Sequence, residues 1–126
     1  MVARSSLGDM VRPFEPDGGV PGLPEWAAVH TPGHTPGHVA FFRREDRVLI
    51  TGDAIVTINL NSLLTLARRK PEISGPPWYV TWDNQAAKRS IALLAGLEPW
   101  AIAGGHGVPV IGPAAANGLR ALADRL

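Results

Sequence analysis

The sequence predicts an α+β domain of short strands, two of them paired as an antiparallel hairpin, and helices. Three observations carry that prediction. Short apolar runs of strand length recur along the chain, later segments place apolar residues at helical spacing, and 14 glycines and 12 prolines punctuate the chain into many short elements. With 126 residues, 45% of them hydrophobic and 18% charged, the chain has the size of one domain, burying roughly two-thirds of its unfolded surface.

Residues 1–25 read as an irregular lead-in, because Pro13, Pro16, Gly18, Gly19, Pro21, Gly22 and Pro24 interrupt any periodicity. Trp26-Ala27-Ala28-Val29 then forms a short buried strand ending at His30, and a loop spans His30 to Gly37. Val39–Phe42 and Val48–Ile50 flank the polar connection Arg43-Arg44-Glu45-Asp46-Arg47, which suits an antiparallel hairpin. Neither run alternates apolar with polar, as a sheet with one wet face would, so both faces of this sheet are expected to be covered. Between Asn61 and Lys70, Leu63, Leu64, Leu66 and Ala67 predict a short helix closed by Pro71.

After the rigid turn Gly75-Pro76-Pro77, Asp83 or Thr81 caps a longer helix whose apolar stripe is Ala87, Ile91, Leu94 and Ala95, with Gly96 as its stop. Pro99-Trp100-Ala101-Ile102-Ala103 is a further strand, and Gly104-Gly105-His106-Gly107 a flexible turn at its end. Pro113 suits the first turn of a final helix in which Leu119, Leu122, Ala123 and Leu126 share a face.

Composition excludes several function classes. A formal charge of +1 gives no field that would gather nucleic acid or an acidic membrane surface, so neither is an expected partner. The chain has no cysteine, so a bound metal must be held by imidazole and carboxylate. No apolar run follows Arg4, Asp9 and Arg12, and no window approaches the ~18 apolar residues of a membrane span. A cytoplasmic protein acting on a small molecule is the expectation.

All four histidines fall in loops, three of them in the local repeat His30-Thr31-Pro32-Gly33-His34-Thr35-Pro36-Gly37-His38 and the fourth, His106, in the glycine turn. Loops at strand ends are where a scaffold presents ligands. Asp53 ends the run Val48-Leu49-Ile50-Thr51-Gly52-Asp53, so its carboxylate emerges from a strand at a glycine. His34, Asp53 and His106 from three loops thus make a set that zinc accepts at ~2.0–2.2 Å. Taken singly, each has a plainer reading: Asp53 as a turn or cap residue, His34 as part of an ordinary Pro-Gly turn, His106 as a solvated side chain.

Thr31-Pro32-Gly33-His34-Thr35-Pro36-Gly37-His38-Val39, then Leu49-Ile50-Thr51-Gly52-Asp53, then Gly104-Gly105-His106-Gly107 resemble three consecutive motifs of the metallo-β-lactamase-fold hydrolases. The resemblance runs from about Val11 to the last helix. From Gly75 to Gly107 it looks like the bacterial hydrolases of this superfamily, a group that also includes hydroxyacylglutathione hydrolases.

The resemblance implies the C-terminal half of a four-layer αββα sandwich, a mostly antiparallel or mixed sheet with helices on one face, as a single partial domain over 1–126 in which 1–25 is an irregular lead-in and 26–126 is the C-terminal half of the fold. It implies that His34 binds one metal, that Asp53 bridges two and belongs to the catalytic centre, and that His106 binds the second. His30 and His38 match motif positions that are not ligands, and read as loop residues or as residues that support the ligands from behind. Zinc is the implied metal, at up to two sites in a complete domain, with iron and manganese left open.

The implied activity is hydrolysis of an ester, thioester or lactam-like bond. The family's opening motif, His-x-His-x-Asp-His, is absent from the 126 residues. The chain is therefore expected to be incomplete as a hydrolase by itself and to associate, as a homodimer or with a partner that supplies the missing half. The alternative is a catalytically inactive oligomerising or interaction module derived from the same fold.

Overall fold

The computed structural model describes residues 8–58 and 72–126. The helix expected between Asn61 and Lys70 lies outside the described residues. Five strands form one sheet in the order β1 (Trp26–His30), β2 (Val39–Arg43), β3 (Val48–Gly52), β4 (Ala101–Gly104) and β5 (Val110–Ile111). The lead-in contains two short 3-10 turns, Gly8–Met10 and Pro16–Gly18, and one isolated bridge between Val20 and Leu23.

β1 with β2 and β2 with β3 pair antiparallel, so the hairpin read around Arg43–Arg47 forms as expected. β3 and β4 pair in parallel. A parallel neighbour needs a long crossover, and the chain makes it through helix α1 (Asn84–Ala95). β5 returns antiparallel on β4 and leads into helix α2 (Pro113–Arg125).

Register assigns the faces. Val29 lies opposite Ala40, Phe42 opposite Leu49, Leu49 opposite Ile102 and Ile102 opposite Val110, so these residues share one side of the sheet. That side forms the core with Ile91 and Leu94 of α1 and Ala115, Leu119 and Leu122 of α2. Both helices therefore cover the same face, as expected.

The other face carries buried Ala28 opposite half-buried Phe41, then half-buried Val48, Ala101 and Ala103, with Ile50 41% and Ile111 68% exposed. Burial thus alternates along β2 and β3 although the sequence does not. The expectation that both faces are covered is not met within the described residues, since the two described helices lie on one side.

Asp83 rather than Thr81 caps α1. Its carboxylate accepts from the backbone N–H groups of Gln85 and Ala86, while the Thr81 hydroxyl donates to Pro77 O. Gly96 follows α1 in ordinary right-handed geometry, and the left-handed residue that redirects the chain is Glu98, at φ 50°. β4 begins at Ala101, two residues later than Pro99, because proline has no N–H for the ladder and Trp100 N–H donates to Arg47 O. α2 ends at Arg125, so Leu126 falls off its apolar face and is exposed. No described helix is long and apolar enough to cross a membrane.

Candidate metal centre

Topology explains why three distant segments meet. β1 and β3 flank β2 and both run antiparallel to it, and β4 runs parallel to β3, so the C-terminal ends of β1, β3 and β4 share one edge. His34 stands in the loop after β1, Asp53 directly after β3, and His106 two residues past β4. The structure brings all three side chains together. His34 Nε2 lies 3.4 Å from Asp53 Oδ2, and His106 Nε2 lies 3.4 Å from Asp53 Oδ1. His34 is the most covered of the three side chains at 21% exposure, Asp53 is at 34%, and His106 is at 56%.

These separations test whether the group fits metal ions. Donors bonded at ~2.0–2.2 Å to one tetrahedral ion stand about 3.3–3.6 Å apart. Each imidazole thus stands at a ligand-to-ligand distance from its own oxygen of the shared carboxylate. His34 Nδ1 is buried with no hydrogen-bond partner. A ligating imidazole ordinarily donates from its far nitrogen, and among the described residues nothing accepts from His34 Nδ1. Among the described residues, no group of three or more His, Asp or Glu side chains is placed to hold a metal ion. The residues fit as half of a shell, two donors per ion.

The loops that carry the three residues are tied to one peptide unit. Gly52 sits at φ 52°, a left-handed geometry that favours glycine, and turns the chain sharply out of β3. Its carbonyl accepts from Gly105 N–H at 2.7 Å, and the next N–H, that of Asp53, donates to His38 Nε2 at 3.1 Å. His38 Nδ1 in turn lies 2.8 Å from Thr31 Oγ1, and Thr31 N–H donates to His38 O. Burial pushes the His38 imidazole below its ordinary pKa, against the opposing pull of the Asp53 carboxylate.

The His106 loop has a second fastening. His106 O accepts from both the backbone N–H and the hydroxyl of Thr57. A side chain at Gly105 would collide with Asp53 Oδ1, so only glycine lets this loop approach the carboxylate. The His34 loop is docked on the start of α1. Asp83 N–H donates to Gly33 O, Trp82 N–H to His34 O, and the Ser90 hydroxyl to Pro32 O.

Comparison with known proteins identifies the family. The family described as the Metallo-beta-lactamase superfamily matches residues 7–106. The chain belongs to the metallo-beta-lactamase superfamily. Among its relatives in that superfamily, the Probable metallo-hydrolase YflN of Bacillus subtilis (strain 168) is 46% identical over 120 residues, which is 95% of this chain and 46% of that protein. The Uncharacterized protein YobT of the same organism is 35% identical over 80 residues, 64% of this chain and 33% of that protein.

A solved metallo-beta-lactamase family protein from Thermus thermophilus, TTHA1429, aligns with TM-score 0.57 and 24% identity over 90% of this chain and 33% of its own, and shows the fold alone. TTHA1623, solved in a di-iron-bound form, aligns with TM-score 0.53 and 28% identity over 83% of this chain and 46% of its own. The chain therefore spans less than half the length of these superfamily members.

Sequence reasoning placed His30 and His38 among the non-ligand loop residues. His30 is exposed, with Nε2 3.0 Å from Pro36 O. His38 turns out to touch the Asp53 backbone directly. Thr31 and Thr57 were missed, because a threonine that fastens a loop carries no spacing signal.

Proposed function

We propose that this chain carries half of the centre of a metal-dependent hydrolase acting on an ester, thioester or lactam-like bond. His34 and Asp53 contribute to one zinc ion, and Asp53 and His106 to a second, with iron or manganese as alternative metals. The observation that carries the reading is the pair of 3.4 Å separations from the two imidazoles to separate oxygens of one carboxylate. Metals bound there supply Lewis acidity and an activated water. Superfamily membership supports the reaction class.

The chain's own residues have definable tasks. Asp53 supplies the negative charge that both cations need, and its position between the imidazoles keeps the two sites adjacent. The Gly52–Asp53 peptide holds the carboxylate against both histidine loops, which limits the reorganisation needed on binding. His106 is the most exposed of the three, at 56%.

Two donors per ion rarely make a tight zinc site, so the remaining ligands come from a His-x-His-x-Asp-His segment outside these 126 residues. The polypeptide that brings it, or a second copy of this chain, covers the apolar sheet face around Phe41 and Ile50. Purified chain with added zinc is expected to hydrolyse thioester and lactam substrates no faster than buffer does. Clear zinc-dependent turnover by pure monomer would refute the incompleteness. If no zinc, iron or manganese binds even at millimolar concentration, the inactive interaction module is the correct reading.

A further inference from the structure

We propose that His38 is the positioning residue of this centre: its Nε2 accepts the Asp53 N–H and so fixes the turn from which the Asp53 carboxylate reaches both His34 and His106. The proposal rests on the metal reading above for its purpose, and on geometry alone for its content.

The hydrogen-bond directions follow from chemistry. A backbone N–H can only donate, so at 3.1 Å from Asp53 N the His38 Nε2 must present its lone pair. The ring hydrogen then sits on Nδ1, and the neighbour at 2.8 Å, Thr31 Oγ1, accepts it. Thr31 is 1% exposed and also donates its own N–H to His38 O, so one bond ties the ring to a buried residue and a second ties the backbone that carries the ring.

The ring also fills the space beside Gly52. A side chain at Gly52 would meet His38 Nε2 at 2.8 Å, and Gly52 already needs its left-handed φ. The turn out of β3 is thus shaped on one side by the His38 imidazole and on the other by Gly105 N–H, leaving the Asp53 peptide one orientation. Asp53 Cα, one bond from that peptide, carries the carboxylate that stands 3.4 Å from each histidine. No hydrogen bond joins His38 to His34 or His106 among the described residues. It acts through Asp53.

The test separates positioning from bulk structural support. In the unsubstituted, nitrogen-15-labelled chain, a scalar coupling across the Asp53 N–H···Nε2 bond is expected, together with a protonated Nδ1. His38→Gln extends an amide oxygen to about the place of Nε2 and keeps the acceptor, whereas His38→Asn reaches only to the place of Nδ1 and loses it. Zinc titrated into the three proteins and followed by nuclear magnetic resonance is expected to bind H38Q close to the parent affinity. H38N is expected to bind roughly 10-fold more weakly or worse.

Absence of the coupling overturns the proposal. So does equal zinc affinity in all three proteins, or a loss in H38Q as large as in H38N. If the parent takes up no zinc, the metal reading fails and the positioning claim is decided on metal-free protein. A single Asp53 side-chain rotamer in parent and H38Q with averaging in H38N supports it, and an unchanged rotamer in H38N overturns it.

Discussion

Gly105 N–H donates to Gly52 O at 2.7 Å, so the turn that carries His106 hangs on the peptide that precedes Asp53. The contact leaves no room for a side chain, because a Cβ on Gly105 would overlap Asp53 Oδ1 and press on Asp53 Cγ.

Gly105→Ala is therefore expected to displace the carboxylate without unfolding the domain, since the turn is exposed and its φ is not left-handed. Zinc affinity should fall by about 10-fold or more while the melting temperature stays near that of the parent. Calorimetric titration beside a thermal melt reads both. Parent-like zinc affinity would mean that the carboxylate can move aside at no cost to the site.

Gly33→Ala should do the reverse. Its Cβ would press into the backbone of Ala87 in α1, and its φ of 149° is already unfavourable for a side chain. Overpacking and strain together predict a loss of about 3 kcal/mol of stability in denaturant unfolding. A loss below about 0.5 kcal/mol would show that the His34 loop is not docked on α1 as described.

Protonation of His38 should be visible in stability. Burial lowers its folded-state pKa from the ordinary 6.5, so over the interval between the two values the unfolded chain binds a proton that the native chain does not. The contribution is complete above 6.5 and is lost as pH falls through the lower folded value. Melting curves of metal-free protein from neutral pH down to about pH 5 should show a decline that His38→Gln makes shallower. An identical slope in the variant would remove His38 as the source.

The second sheet face predicts association. Ile50 and Ile111 expose large apolar surface beside half-buried Phe41 and Val48. Contiguous apolar patches are rare on free-standing proteins. Light scattering at micromolar concentration is expected to report a dimer or larger, and the double substitution Ile50→Lys with Ile111→Lys to dissociate it. A monodisperse parent monomer would count against a second copy as the cover.

Much of the site was legible because its residue types are scarce and its turns chemically marked. Four histidines, all beside glycine or proline or within a residue of them, and an aspartate after a glycine stood out at strand ends, and their strands were long enough to read. β5 was not legible, because two residues, Val110 and Ile111, carry no periodicity and pair only because β4 lies beside them. The covered-face expectation was not met among the described residues, because apolar patterning records every surface a strand can bury and not what covers it. His38 was legible as a loop histidine, but its bond to the Asp53 N–H depends on the left-handed turn at Gly52, which spacing alone does not reveal.

The central claim is that one carboxylate couples two imidazoles into adjacent ion sites. Zinc titrated into the nitrogen-15-labelled chain tests it most directly. The ring nitrogens of His34 and His106 should both shift, and Asp53→Asn should abolish both responses while the fold is retained. If zinc moves neither imidazole, or if both respond in the Asp53→Asn protein as in the parent, the shared centre does not exist.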